Sequence, residues 1–282
     1  MQQHEQDLLN NPNRELRKAY RVRHPLKLRQ ASVQRIEELS PNMRRVVLTG
    51  QDFADFNSAS FDDHVKVFFP DPHSGQLVLP QLAGQGIATN DSAKPIMRDY
   101  TPRYFDNQQH TLTIDFALHE SGPASDWASQ AKVGDKLGIG GPKGSMIIPM
   151  DFAGYVLIGD ETALPAISRR LEELPQDAQV VVIAEVDSLQ DQLLWDCPQN
   201  TQIIWLQRMG SPMGQVDLFL QALKQVSWPK EDTHVWIATE TNVARQLRKV
   251  FIDEYGVDKN YIKAAGYWQQ GKSDSHQVLD GE

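Results

Sequence analysis

A single cysteine, Cys197, stands in 282 residues, which excludes an internal disulfide and the four-thiolate shell of an iron–sulfur cluster. Any redox chemistry would therefore rest on an organic cofactor, and a reducing, cytoplasmic setting is the expectation. Positive charge is also scarce: 28 Lys and Arg face 37 Asp and Glu, a formal net charge of −9, with a pI near 5.4. That balance removes the global electrostatic basis for polyanion binding, so nucleic acid is not an expected partner. No apolar run approaches the ~18 residues of a membrane span, and the polar stretch Met1–Asn13 lacks the apolar core of a secretory leader. The eight histidines form no His-x-x-x-His or similar ligand set, so no protein metal site is expected. What remains is an ordinary globular composition, 40% apolar and 23% charged, in a chain long enough for two domains of common size.

The ends, 1–13 and 273–282, read as polar tails, with 1–26 a tail and basic lead-in. Between Arg14 and Arg45 ten Lys or Arg stand against three acidic residues, a basic segment in an acidic chain and, in the plain reading, a solvated surface. From Lys27 to Pro149 the pattern is short alternating segments, Arg44–Leu48, His64–Phe69, Thr111–Ala117 and Lys136–Gly140, separated by Pro, Gly and Asn. Such spacing predicts an antiparallel barrel or sandwich over 27–150, the barrel being the expectation carried forward. Beyond it, the apolar runs Tyr155–Ile158, Gln179–Ala184, Gln202–Trp205 and His234–Ala238 alternate with the amphipathic stretches Ala163–Leu174, Gln215–Gln225 and Val243–Tyr255. Strands alternating with helices predict an open α/β domain with a mainly parallel sheet over 151–272. A ligand is expected at the junction of the two.

Three blocks carry chemistry. In Arg98-Asp99-Tyr100-Thr101-Pro102-Arg103 a cation, an aromatic face and a hydroxyl are spaced to suit a flavin's pyrophosphate, ring and N5 edge, although a polar strand surface would use the same residues. About twenty residues on, Leu118-His119-Glu120-Ser121-Gly122-Pro123-Ala124-Ser125-Asp126-Trp127-Ala128 pairs a Gly-Pro turn with a helix start whose amides suit a phosphate. Ser125 could cap that helix or meet the anion. The third block, Tyr155-Val156-Leu157-Ile158-Gly159-Asp160-Glu161-Thr162-Ala163-Leu164-Pro165-Ala166, is a buried strand, a tight turn and a helix opening. It lacks Gly-x-Gly-x-x-Gly, and its two carboxylates would repel a pyrophosphate laid directly on them.

Arg-x-Tyr-Thr followed by Leu-His-x-x-x-Gly-Pro-Ala-Ser-x-Trp-Ala resembles the siderophore-interacting protein family, flavin-dependent ferric-siderophore reductases of the ferredoxin-reductase superfamily. Gly-Asp-Glu-Thr-Ala-Leu-Pro-Ala is similar to the opening of that family's C-terminal domain. Trp236-Ile237-Ala238-Thr239-Glu240 and Gly266-Tyr267-Trp268 resemble its later blocks, with Thr239 where Gly is usual and Gln269 where Arg commonly follows. The resemblance covers roughly Lys27 to Lys272. It implies FAD held by Arg98, Tyr100, Thr101, His119, Gly122, Pro123, Ala124, Ser125 and Trp127. It further implies an NADH or NADPH cleft at Asp160, Glu161, Thr162 and Glu240, with Trp268 near the flavin. Lys66, Arg103 and Lys272 would form a basic pocket for an anionic ferric siderophore.

The implied activity passes electrons from NAD(P)H through FAD to siderophore-bound Fe(III), releasing Fe(II), with no protein group acting covalently. A flavin reductase exchanging electrons with a ferredoxin or flavodoxin, and a non-catalytic siderophore-binding flavoprotein, are the alternatives.

Overall fold

The protein is represented by a computed structural model that describes residues 17–83, 86–88, 95–118, 122–272 and 277–279. Its N-terminal half is a seven-stranded antiparallel sheet built from β2 (Leu28–Ser40), β3 (Met43–Thr49), β4 (Val65–Phe69), β7 (Ile96–Tyr100), β8 (Tyr104–Asp106), β9 (Thr111–Ala117) and β10 (Lys136–Gly140), in the order β7-β4-β10-β2-β3-β9-β8. Alternate residues of these strands, among them Val46, Leu48, Val65, Val67, Leu112, Ile114, Leu137 and Ile139, point into one apolar core, as the period of two requires. Register shifts in the β2–β3 pairing, between Val33 and Arg35 and between Glu38 and Ser40, bend the long β2 and help the sheet curl into a half-barrel. A short helix, α1 (Pro123–Gln130), packs Ala124 and Ala128 into that core. Two ribbons complete this half: β1 (Tyr20–Arg23) pairs with β11 (Gly144–Ile147), and β5 (Gln81–Ala83) with β6 (Gly86–Ala88).

The sheet's two edge strands, β7 and β8, are consecutive in the chain and joined by Thr101-Pro102-Arg103 alone. The Arg98 motif thus ends one edge and crosses to the other. This is why three of its residues lie on a strand and three in the connection that leads into the next.

The C-terminal half is a six-stranded sheet in the order β14-β13-β12-β15-β16-β17, from β12 (Gly154–Gly159), β13 (Gln179–Val186), β14 (Asn200–Gln207), β15 (Thr233–Glu240), β16 (Ile262–Trp268) and β17 (Gln277–Val278). The first five are parallel and β17 is antiparallel. Helices α2 (Leu164–Glu173), α3 (Val216–Leu223) and α4 (Thr241–Asp253) cover it, burying a core on each face. The chain leaves β12 toward β13 on one side and returns through β15 on the other, so the strand order reverses at β12. The carboxyl ends of β12 and β15 therefore open on the crevice where such sheets receive ligands. Gly159 ends β12 because no side chain fits there: a Cβ would lie 2.5 Å from the Ala163 Cβ and 2.9 Å from the Ile167 Cδ1.

Two consecutive arginines of α2 join the halves. The Arg169 guanidinium donates to the Ser58 hydroxyl, the Ser58 carbonyl and the Pro102 carbonyl at 2.8–3.0 Å. Arg170 reaches the Pro149 carbonyl at 3.1 Å and lies over the rings of Phe61 and Tyr155. Both are buried, so the junction is a packed interface rather than a hinge. Among the described residues no helix is long and apolar enough to cross a membrane, and no group of three or more His, Cys, Asp or Glu side chains could hold a metal ion.

Candidate functional site

On the barrel side, strand register sorts the expected residues. Opposed residues of an antiparallel pair share a face, and β4 sets Val65 against Tyr100, Lys66 against Asp99 and Val67 against Arg98. Arg98 and Tyr100 therefore project from one face and Lys66 with Asp99 from the other. Tyr100 lies with its ring centroid 4.5 Å from that of Phe116, and Trp127 of α1 sits 5.7 Å from both Phe69 and Phe116. Burial pushes the Tyr100 phenol far above its ordinary range, so it serves as a neutral aromatic face. The Arg98 guanidinium makes one side-chain hydrogen bond among the described residues, to the Met97 carbonyl at 2.7 Å. Its other donors have no described partner.

Helix α1 is preceded by Gly122 at its N-cap and opens on Pro123, and among the described residues no side chain caps it. Its leading amides, including those of Ala124 and Ser125, therefore present the positive end of the helix. Among the described residues, a Cβ built on Gly122 meets nothing within 4 Å. His119 lies outside the described residues. These observations fit FAD: a helix terminus with glycine at its N-cap and a guanidinium with only one hydrogen bond among the described residues suit its pyrophosphate, and Tyr100 and Trp127 offer aromatic surface.

The expected basic pocket is largely charge-compensated. Lys66 Nζ donates to both oxygens of Asp99, at 2.8 and 3.0 Å. Arg103 is buried and paired with Glu172 of α2, with Asp115 at 3.9 Å. Lys272 is exposed and has no ion-pair partner among the described residues.

On the α/β side the expected cleft residues are engaged with the protein itself. Asp160 caps the turn that opens α2, accepting from the Thr162 amide at 3.0 Å and the Thr162 hydroxyl at 2.5 Å, and receives the Trp268 indole N–H at 2.8 Å. Glu161 is buried, accepts from Arg208 at 2.7 Å and from the Asp187 amide at 3.1 Å. Burial outweighs that arginine and raises the Glu161 carboxyl to about 7. Glu185, fully buried one strand over, lies 3.2 Å from Arg208 Nε without hydrogen-bond geometry, and burial raises it to about 8. Glu240 caps α4, accepting from the amides of Asn242 and Val243. Trp268 reaches over Gly214, whose added Cβ would stand 3.6 Å from the indole.

Between the two sides is a residue that no local pattern announces. Asp62, in the loop before β4, takes the Trp236 indole N–H at 3.0 Å and the Tyr267 hydroxyl at 3.3 Å on one oxygen and pairs with Lys263 through the other. The Gly-Tyr-Trp block pointed to Tyr267, but its partner is 205 positions away in the chain.

Comparison with known proteins places this geometry. Residues 32–146 match the siderophore-interacting FAD-binding domain, and residues 152–271 match the siderophore-interacting protein domain that follows it. The chain belongs to the siderophore-interacting protein family. An NADPH-dependent ferric-chelate reductase of Escherichia coli is 37% identical over 248 residues, 88% of this chain and 95% of that one. A ferric vibriobactin reductase of Vibrio cholerae is 35% identical over 255 residues, 86% and 92% of the two chains. A siderophore utilization protein from T. fusca, known as a crystal structure, is 39% identical with a TM-score of 0.86, covering 92% of this chain and 98% of that one. For a siderophore-interacting protein, the α1 terminus and Arg98 lie within the matched FAD-binding domain, and the α2 turn within the domain that follows.

Proposed function

We propose that this siderophore-interacting protein is a cytoplasmic ferric-siderophore reductase, with residues 27–150 holding FAD and residues 151–272 receiving NAD(P)H. The observation that carries the reading is the pairing of a glycine-started helix terminus with an arginine that makes one side-chain hydrogen bond among the described residues, beside an aromatic cluster at the junction with a parallel sheet. Bound FAD supplies the conversion of a two-electron hydride donor into single-electron deliveries. The overall balance is one NAD(P)H and two Fe(III) chelates giving NAD(P)+, one proton and two Fe(II).

The residues divide the work. Arg98 and the α1 amides would hold the pyrophosphate, and Tyr100, Thr101 and Trp127 would hold the ring system. Trp268, fixed by Asp160, covers the crevice at the ends of β12 and β15, where the nicotinamide enters. Lys66 meets the ferric chelate while held by Asp99. Iron arrives already coordinated, so no protein ligand to it is required.

A protein electron donor such as a ferredoxin or flavodoxin is the second reading. It is favoured by Lys18, Arg21 and Arg23, exposed on and beside β1 and without ion-pair partners among the described residues.

The test is an anaerobic visible spectrum of the FAD-loaded protein, before and after NADH or NADPH and then after a ferric siderophore with a ferrous trap. Bleaching, reoxidation and Fe(II) capture are expected. A flavin that bleaches with nicotinamide but passes no electrons to any ferric chelate would overturn the reading. One reduced only by ferredoxin or flavodoxin, yet active on chelates, would replace the donor alone.

A further inference from the structure

We propose that Arg103 and Glu172 form a positioning pair, through which helix α2 fixes the β7–β8 connection and so registers the flavin site against the nicotinamide crevice. The inference rests on the proposed function's assignment of FAD to the barrel half and NAD(P)H to the α/β half. It takes Arg103 out of the basic substrate pocket that the family resemblance implied.

The connection Thr101-Pro102-Arg103 follows directly on Arg98 and Tyr100 and carries the chain from one edge of the barrel sheet to the other. The barrel holds it through the Arg103 amide, which donates to the Thr113 carbonyl at 3.0 Å, and Pro102 has no N–H to add. The other half supplies the rest of the grip. Arg169 donates to the Pro102 carbonyl at 3.0 Å, and Glu172, on the same helix, takes the Arg103 guanidinium on both carboxylate oxygens, one of them at 2.8 Å. Residues three apart share a helix face, so α2 turns one face to two consecutive residues of the connection.

Both arms of this grip are aimed. Arg169 Nε is bound back to Glu173 at 2.8 Å, which points its two terminal nitrogens at Pro102 and Ser58. Asp115 stands 3.9 Å from Arg103 Nε but is itself taken by Arg45, through bonds of 2.7 and 2.8 Å. The Arg103 fork therefore closes on α2. A buried guanidinium engaged at both terminal nitrogens is a poor receptor for an arriving anion and a good fixing point for the backbone that carries it.

Helix α2 is a single element of ten residues, ~15 Å long. At its start lies the turn that Asp160 caps, beside the crevice, and Glu172 lies in its last turn. Hydride transfer needs the reacting atoms held about 3–3.5 Å apart, and one rigid helix that reaches both sites sets that spacing. A connection fixed in advance also spares FAD the entropy of ordering it.

The experiment compares the parent with Glu172→Gln, Arg103→Gln and the two combined. It reads FAD affinity of the apoprotein, the visible spectrum of the bound flavin and the single-turnover rate of flavin reduction by saturating NADH or NADPH, with thermal unfolding as the control for folding. Glu172→Gln should weaken FAD by about fivefold, as expected for a partly exposed pair, shift the flavin bands and slow reduction. Arg103→Gln should do the same, and the double variant should be no worse than either single one, because the two residues act together. Arg103→Lys keeps the charge without the fork, so it should group with the glutamine variants.

A loss of thermal stability alone, with affinity, spectrum and reduction rate as in the parent, would make the pair merely structural and overturn the proposal. So would an Arg103→Gln protein whose one change is a raised KM for anionic ferric chelates, restored in Arg103→Lys, since Arg103 would then meet the substrate. Glu172 is partly exposed, so its variant decides the matter if Arg103→Gln does not fold. A parent that takes up no FAD, or whose flavin neither nucleotide reduces, overturns the proposed function itself, and this inference with it.

Discussion

The two sides of the junction use similar motif residues in opposite ways. On the barrel side, among the described residues, Arg98 has donors without partners and α1 has no capping side chain. Across the crevice, Asp160, Glu161 and Glu240 are all buried and bonded to the fold's own amides, indole or guanidinium. Groups left unsatisfied at a helix start and strand end invite a ligand, whereas groups satisfied internally shape the ground around one. In the proposed function the barrel side would bind FAD, and the α/β side would keep its form and admit the nicotinamide.

The largest expected effect separates the sides by stability. Arg208→Ala leaves Glu161 and Glu185 buried without their cation, and breaking such a cluster costs about 3 kcal/mol. Urea unfolding at pH 8 should show that loss, while the FAD affinity of the folded protein is retained. A matching loss of FAD affinity would place Arg208 in the binding machinery and end the comparison. Next comes Arg98→Ala, which removes a charge-assisted contact to phosphate worth about 1.5–3 kcal/mol, roughly 10- to 100-fold in affinity. Fluorescence titration of the apoprotein with FAD reads it, and unfolding of the apoprotein should not move, because the guanidinium's one side-chain hydrogen bond among the described residues is to its neighbour's carbonyl.

Much of this architecture was legible in the chain. The alternating segments Thr111–Ala117 and Lys136–Gly140 are strands with those bounds, because an alternation of two between turn residues has few other uses. The runs at Tyr155, Gln179, Gln202 and His234 lie in successive parallel strands. Of the residues proposed for the flavin, Tyr100 and Trp127 share one aromatic cluster. What stayed hidden was pairing. Nothing local tells that Lys66 faces Asp99, that Arg103 faces Glu172, or that Asp62 gathers Lys263, Trp236 and Tyr267. Each is set by strand register or by the docking of two separately built halves. The surplus of positive charge between Arg14 and Arg45 is similarly deceptive: Arg17, Lys27, Arg29, Arg35, Arg44 and Arg45 all have acidic partners.

The raised carboxyls of the α/β side give the comparison a pH axis. Glu185 titrates near 8 and Glu161 near 7 in the folded protein, against about 4.3 for a free glutamate. The native state therefore holds protons that the unfolded chain has released, and stability falls as pH rises from about 4.3 through 8. Glu185→Gln, which needs no proton, should match the parent at pH 4 and exceed it by about 1–3 kcal/mol at pH 8.5. Thermal unfolding across that range checks the sign. A variant less stable than the parent at pH 8.5 would mean that the Arg208 pairing outweighs burial.

The smallest effect concerns the substrate edge. Lys66 is held by both oxygens of Asp99, so an arriving anionic chelate meets a cation already half answered. A partly exposed pair of this kind is worth up to about 1 kcal/mol. Lys66→Ala should then raise KM for an anionic ferric chelate by roughly fivefold, leaving FAD affinity and flavin reduction by NAD(P)H as they were. Asp99→Asn should act in reverse, lowering KM for the same chelate because it releases Lys66, and it should do nothing for an uncharged ferric complex. Steady-state Fe(II) capture with chelates of different charge reads both variants. Equal response to charged and uncharged complexes would take the Lys66 face of β4 out of the pocket and leave substrate entry to the Arg98 face alone.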